Sequence, residues 1–278
     1  MSNTTSSNKQ ILVIGATGKT GRRILQRLKD RNIPSLGVSF SSTPSFDWHN
    51  KATWEAVLNN IGTVYISYYP DLAIPGAVDA VAQFSNLAVK KGVQKLVLLS
   101  GRGEAEAQHC EEVVMDAGVD WTIVRASWFC QNFSEGNFLE PIQAGHVALP
   151  AGNIGEPFVD ADDIADVAVA ALTEAGHSKK LYEVTGPRLL TFKEAIAEIA
   201  KATGRDIKYE QVPVKAYADL LSEYGLPKDL IWLVNYLFAE VMDGRNESVA
   251  DGVERALGRK ATDFSEFVRK TAATGVWG

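Results

Sequence analysis

Three glycines spaced three apart, Gly15, Gly18 and Gly21, with Thr17, Lys19 and Thr20 between them, sit in the stretch VIGATGKTGRRI (residues 13–24). Residues of these types can hold phosphate in two ways. A P-loop needs four residues between its first glycine and Gly-Lys-Thr, so that enough backbone N–H groups wrap the phosphates. Only Ala16 and Thr17 intervene here, and the residue that would have to be that first glycine is Leu12 or Val13, inside an apolar run. The dinucleotide reading is left. In such a turn Gly15 permits a sharp exit from a strand, Gly18 lets backbone approach a pyrophosphate, and Gly21 allows close packing of helix on strand. The helix N-terminus adds partial positive charge. The competing reading is a plain tight turn with no ligand.

A dinucleotide with a free ribose 2'-hydroxyl is usually held by Asp or Glu about 20 residues beyond the glycines. None stands there. Instead the run SLGVSFSST brings Ser39, Ser41, Ser42 and Thr43, neutral hydroxyls that could hydrogen-bond a phosphate without repelling it, and Lys19 and Arg22 add positive charge. This favours NADP(H) over NAD(H), against the alternative that the serines form a solvated loop. Further along, Arg102 and Glu104 could orient a substrate. Trp128, Phe129, Gln131, Asn132 and Phe133 could form an apolar wall with a few amides, suited to a flat hydrophobic substrate. Phe129 and Phe133 are one helical turn apart, so at least one is expected in the core, leaving Trp128 and Asn132 as the substrate-side candidates.

Other clusters carry no chemistry. Asp160, Asp162, Asp163 and Asp166 lack the glycine and terminal glutamate of a calcium loop, and read as an N-cap with acids in the first turn of a helix. Thr191 and Glu194 read as a capping box, and no metal site is expected. The two cysteines, Cys110 and Cys130, have no disulfide or metal-ligand spacing and suit a reducing compartment.

These residues need elements to position them. ILVIG (11–15), SLGVSF (35–40), TVYISYY (63–69), KLVLLS (95–100) and DWTIVRA (120–126) read as strands. The segments 21–32, 54–61, 77–92 and 105–118 between them read as helices. Such alternation implies an α/β fold, a doubly wound parallel sheet with its ligand at the carboxyl ends of the strands. Beyond Trp128 the pattern breaks into an aromatic, irregular stretch, returns with DIADVAVAALTE and KLYEVTG, and is mostly helical from Leu190 on. The apolar stretch around Trp232, Tyr236 and Leu237 reads as core or as a homodimer interface.

The 278 residues are ample for a sizeable core, and a formal net charge of -6 with no basic cluster argues against nucleic acid as a direct partner. The polar start MSNTTSSNKQ lacks the apolar core of a signal peptide, and no apolar run approaches the ~18 residues of a membrane span. A cytoplasmic protein with a short floppy tail at 1–9 is expected, with no membrane contact.

The motifs GATGKTG, FDWHNKATW, KLVLLS and DWTIVRASWFCQNF, in that order, make the chain resemble the NmrA-like branch of atypical short-chain dehydrogenase/reductases. The likeness spans most of the chain. FDW followed by TW is similar to the festuclavine dehydrogenase relatives, and quinone oxidoreductase-like members share the look. The resemblance implies an NADP-binding Rossmann domain (10–128 plus 154–185) interleaved with a smaller substrate domain (129–153 plus 186–278). It also implies Asp47 and Trp48 near the adenine, Tyr68, Tyr69 and Pro70 beside the cofactor, and Ser100 and Gly101 on the nicotinamide side.

Reductases of the wider superfamily use a tyrosine activated by a lysine four residues on, and the helix after KLVLLS carries neither. The Tyr224–Lys228 match in YGLPK contains glycine and proline and reads as coincidence. Hydride transfer needs little beyond positioning and exclusion of water, and a cationic iminium needs no proton donor. Where a proton is required, His109 is the nearest titratable group on that helix and Tyr68 a second candidate; the plain alternative for His109 is an exposed helical histidine. Two functions follow. One is an NADPH-dependent reductase of a small hydrophobic carbonyl, quinone or imine. The other is a non-catalytic redox sensor that binds the dinucleotide and acts through a partner. An open aromatic cavity would favour the first, a filled one the second.

Overall fold

The computed structural model describes residues 9–278. The tail expected at 1–9 therefore lies outside the described residues except for Lys9, whose ammonium donates to the Gly92 carbonyl at 2.7 Å.

Strand β1 (Gln10–Ile14) is buried along nearly its whole length, as a β-branched run covered on both faces must be. Helix α1 (Gly21–Asp30) follows, burying Ile24 and Leu28, and returns the chain to β2 (Ser35–Val38). A short α2 (Trp54–Val57) leads to β3 (Ile61–Ile66), α3 (Ala77–Lys90) to β4 (Lys95–Gly101), and α4 (Ala105–Met115) to β5 (Asp120–Ala126). Two short helices, α5 (Asn132–Glu135) and α6 (Leu139–Ala144), precede β6 (His146–Leu149). Helix α7 (Ala161–Thr173) then feeds β7 (Lys180–Val184), the last strand of the main sheet. The six strands run parallel in the order β2-β1-β3-β4-β5-β7. The order reverses between β1 and β3, which opens a crevice there at the carboxyl ends.

The remaining elements are α8 (Phe192–Thr203), β8 (Lys208–Gln211), α9 (Val214–Glu223), α10 (Lys228–Tyr236), α11 (Gly252–Leu257) and α12 (Phe264–Ala272). Between α10 and α11 the chain makes one π-helical turn, Leu237–Val241. The pairing of β6 with β8 into a separate parallel two-stranded sheet is absent from the sequence reading. β8 is KYEQ, with no apolar alternation to mark it.

One face of the main sheet packs against α2, α3 and α4 around Phe46, Trp48, Trp54 and Phe84, whose rings lie 4.9–6.3 Å apart. The other face packs against α1, α7 and α11. A further core gathers Phe133, Phe138, Phe158, Phe192, Phe264 and Trp277. Two parts of the expected partition differ. Phe158 joins this third core although it falls within 154–185, and α11 covers the main sheet through Val253 although it falls within 186–278.

Several boundaries differ from the sequence reading for local reasons. β2 ends at Val38 because the Ser42 hydroxyl accepts from the Ser39 N–H at 2.8 Å and the Ser39 carbonyl accepts from the Phe46 N–H at 2.9 Å, folding the serine run into a turn. Asp160 caps α7 through the Asp162 N–H at 2.9 Å, and the neighbouring acids pair with arginines: Asp162 with Arg27 at 2.8 Å and Asp163 with Arg259 at 2.7 Å. Both hydrogen bonds of the Thr191–Glu194 capping box are present.

Glu156 is fully buried, with neither carboxylate oxygen hydrogen-bonded within residues 9–278. Burial pushes it up to about 8, against a smaller opposing pull from Arg102. The folded chain thus holds a proton that the unfolded chain releases near the ordinary carboxylate range, so stability falls as pH rises from the unfolded value to about 8. Glu156→Gln is expected to match the wild type near pH 4 and to exceed it by about 2 kcal/mol at pH 9, after allowing for relaxation around the charge. Denaturant unfolding at the two pH values checks this; equal stability at both contradicts it.

Candidate active site

A cleft of about 990 Å³ opens at the carboxyl ends of β1 to β5. That volume lies at the upper end for small-molecule sites. A second depression, at Leu25, Lys29 and Ser35, lies by the amino end of β2, away from the carboxyl ends where such sheets hold their ligands.

The glycine turn forms one end of the cleft. Gly15 has φ 77°, a left-handed conformation glycine adopts without penalty, and it lies against Ser67 at the exit of the adjacent β3. A Cβ on Gly21 would overlap the Gly15 carbonyl, so only glycine lets α1 start this close to the turn. Gly18 is exposed to the cleft, and a Cβ there would meet only the Gly15 oxygen, at 3.2 Å. The N–H groups of Lys19 and Thr20, which line the cleft, have no acceptor among the described residues. This is a cradle of free amides at a helix start, the geometry that fits a pyrophosphate.

Charge follows the same pattern. The Arg22 and Arg23 guanidiniums both pair with Glu135 of α5. Lys19 makes no ion pair among the described residues, and burial holds its pKa below the usual lysine value, a penalty that a bound anion would relieve. Thr20 lines the cleft, with its hydroxyl engaged in accepting from the buried Tyr65 hydroxyl at 2.9 Å. Ser39 lines the cleft, whereas Ser41 stands beside it with its hydroxyl 3.4 Å from that of Ser39. Phe40, 79% exposed at the same rim, was not foreseen.

Asp47 and Trp48 border the next part of the cleft. The Trp48 indole donates to the Ser67 carbonyl at 3.2 Å, and its ring lies 4.9 Å from that of Tyr68. Tyr68, Tyr69 and Pro70 line the wall after β3, and Ser100 and Gly101 the wall at the end of β4. The Ser100 hydroxyl donates to Glu111 at 2.6 Å. Trp128 and Asn132 line the far end; Trp128 packs on Phe192 and Phe238 at 5.3 and 5.1 Å, and the Asn132 amide makes no hydrogen bond among the described residues. Of the two phenylalanines one turn apart, Phe133 is fully buried and Phe129 lines the cleft. Gln131 is engaged elsewhere, joining Asp160 and the Ala161 N–H.

Three more expected site residues besides Ser41 are placed differently. His109 is exposed and stands outside the cleft, because α4 buries Ala107, Cys110 and Glu111 and the same helical phase turns residue 109 outward. Arg102 borders the cleft, but its guanidinium donates to the Asn246 and Ser248 carbonyls at 3.0 and 2.8 Å and to the Ser248 hydroxyl, and pairs with Glu183 at 3.4 Å; it ties β4 to the 246–248 loop. Gly21 stands behind the cleft as a packing residue. Tyr68 is buried and its pKa is raised by desolvation, the reverse of what a lysine-activated tyrosine requires. Tyr224 is 76% exposed and outside the cleft. Leu237 reaches the cleft from the C-terminal half, while Trp232, earlier on α10, is 43% exposed.

Sequence reasoning missed Asp71, Ser127 and Glu135, which also line the cleft. The Ser127 hydroxyl is buried with no partner within residues 9–278, an orphan facing the space a ligand would fill. Asp71 and Ser127 both follow strand ends, so the carboxyl-end rule alone could have found them.

The family model for NmrA-like proteins matches residues 105–269, more than half of the chain. The chain belongs to the NmrA-like family. This NmrA-like chain is 31% identical to agroclavine dehydrogenase of Claviceps fusiformis over 281 residues, covering 93% of this chain and 96% of that one. It is 28% identical to an NAD(P)H azoreductase of Xenophilus azovorans over 285 residues (95% and 98%). It is 26% identical to prestalk A differentiation protein A of Dictyostelium discoideum over 286 residues (97% and 94%). Among solved structures, the NADPH-dependent quinone oxidoreductase of Escherichia coli complexed with NADPH superposes with a TM-score of 0.78 at 20% identity, covering 94% of this chain and 99% of that one. That likeness concerns the fold. No helix among the described residues is long and apolar enough to cross a membrane.

Proposed function

We propose that the protein is an NADPH-dependent oxidoreductase that reduces a small, flat, hydrophobic carbonyl, quinone or imine. The observation that carries this reading is continuity: the free amides of the glycine turn and the aromatic wall at Trp128 border one cavity of about 990 Å³. Its relatives by name include an NAD(P)H azoreductase and a clavine dehydrogenase, which supports the same class of reaction.

In this reading the amides of Lys19 and Thr20 and the Lys19 ammonium hold the pyrophosphate, with Ser39 and Ser41 toward the 2'-phosphate. Asp47, Trp48, Tyr68, Tyr69 and Pro70 flank the adenine half, and Ser100 and Gly101 the nicotinamide half. When bound, the reduced dinucleotide supplies a hydride. The chain contributes orientation and exclusion of water: Trp128 and Phe129 offer apolar faces, Asn132 a free amide, and Leu237 closes the cleft from the C-terminal segment. That segment, with residues 129–153, acts as the substrate side of the molecule. α4 carries neither tyrosine nor lysine, so the proton a neutral substrate needs has another source. A sensor that leaves the nicotinamide space filled by side chains is disfavoured by the open cavity.

Calorimetric titration with NADPH, NADP+, NADH and NAD+ tests the cofactor half. NADPH is expected to bind at least ~10-fold more tightly than NADH, a difference of about 1.4 kcal/mol. Equal binding of the two would remove the role given to Ser39 and Ser41, and tighter binding of NADP+ than NADPH would favour the sensor.

A further inference from the structure

Two carboxylic acids meet at the wall of the cleft between the exits of β3 and β4. Asp71 follows the Tyr68–Pro70 stretch, with its Oδ1 held by the Ala73 N–H at 2.8 Å. Glu104 ends the loop after β4 and is 7% exposed. It has room there because residue 101 is glycine: a Cβ on Gly101 would overlap the Glu104 carboxyl group. Both acids line the cleft, and they lie within hydrogen-bonding reach of each other. The Glu104 Oε2 atom is buried and receives no N–H or hydroxyl hydrogen bond within residues 9–278.

Glu104 makes no ion pair among the described residues; the Arg245 guanidinium, which donates to the neighbouring Gly103 carbonyl at 3.1 Å, is paired with Asp243. The groups that face Glu104 are Asp71, Glu106 and Glu111, with Cys110 and Tyr236 beside them. Glu111 is paired with Arg125, and Glu106 accepts the Tyr236 hydroxyl at 2.6 Å. The nearest guanidinium in sequence, Arg102, is directed into the 246–248 loop. Two neighbouring desolvated carboxyl groups with no ion-pair partner of their own resist ionising together, which favours retention of one proton between them.

We propose that Glu104 and Asp71 share one proton and that this pair is the acid of the reaction, delivering that proton to the substrate oxygen or nitrogen. Glu104 is the donor because it is the more deeply buried partner, and its desolvation beside Asp71 holds its pKa well above the carboxylate range. The inference rests on the reductase reading. Once hydride has added to the acceptor carbon, the electron pair of the C=O or C=N bond moves to the heteroatom. That pair takes the proton as the Glu104 O–H bond breaks, and the dianion left behind regains a proton from water before the next turnover. The pair thus supplies what α4 lacks.

The test is Glu104→Gln, which keeps a hydrogen-bond donor to Asp71 but has no proton to give. Two acceptors separate its chemistry from its packing: a neutral quinone, which must be protonated, and a triarylmethane dye cation, which takes up hydride alone. Quinone reduction is expected to fall at least ~100-fold, dye reduction by no more than about threefold, with NADPH affinity held. In parallel, carbon-13 NMR of the glutamate carboxyls in the cofactor-free protein is expected to show Glu104 protonated at pH 7. Equal losses on both acceptors, no loss on either, or an ionised Glu104 at pH 7 overturns the assignment. A wild type that reduces neither acceptor overturns the reductase reading and the donor with it. A wild type active on both, with the variant unimpaired, overturns the donor alone.

Discussion

Gly21→Ala is expected to weaken NADPH binding at least ~100-fold, about 2.7 kcal/mol, although residue 21 does not face the cleft. The added Cβ would overlap the Gly15 carbonyl and approach Ala16 Cα at 3.2 Å, and both contacts are backbone. Rotamer adjustment cannot relieve a clash with backbone; α1 or the turn must move. Either movement displaces the amides of Lys19 and Thr20 that form the anion cradle. Substitution at Gly18 obstructs the ligand directly, whereas substitution at Gly21 distorts the site from behind. Calorimetry measures the affinity, and thermal unfolding of the unliganded protein shows that the variant remains folded. Wild-type affinity in a folded Gly21→Ala protein would mean that the turn does not hold the pyrophosphate.

Arg125→Met is expected to destabilise the fold by about 3–5 kcal/mol. Glu111 is 2% exposed, and Arg125 is its only cationic partner among the described residues, donating through Nε at 2.8 Å and through Nη2. Arg125 also reaches Glu183 at 3.0 Å, so one side chain on β5 joins α4 to β7. Its removal leaves a carboxylate in a core without compensation, which costs more than the pair contributes. The double variant Arg125→Met with Glu111→Leu should therefore recover most of the loss. Denaturant unfolding of the three proteins forms the cycle, and a loss that persists undiminished in the double variant would contradict the argument. The Ser100 hydroxyl also donates to Glu111, so the single variant loosens the cleft wall as well.

The parts of this molecule legible in the sequence are those where the local signal and the tertiary demand coincide. β5 matches DWTIVRA residue for residue, and Gly15 and Gly21 have the backbone demands that their spacing announces. β8 was invisible because KYEQ pairs with β6 without burying a periodic face. His109 was the natural donor by position along the chain, but a helix's phase is set by what it buries, and Cys110 and Glu111 take the inward side of α4. Arg102 and Glu104 looked alike as loop charges two residues apart. The difference between them lies in remote partners: Ser248 for the arginine, Asp71 for the glutamate. No sequence spacing encodes either contact.

Stopped-flow mixing of the NADPH-loaded protein with a panel of quinones and imines reads hydride transfer in the cleft itself. A substrate-dependent, saturable loss of the reduced-nicotinamide absorbance within a single turnover is expected. Tight NADPH binding with no loss of that absorbance against any acceptor would contradict the reductase reading, and would leave a dinucleotide-binding protein that does no chemistry.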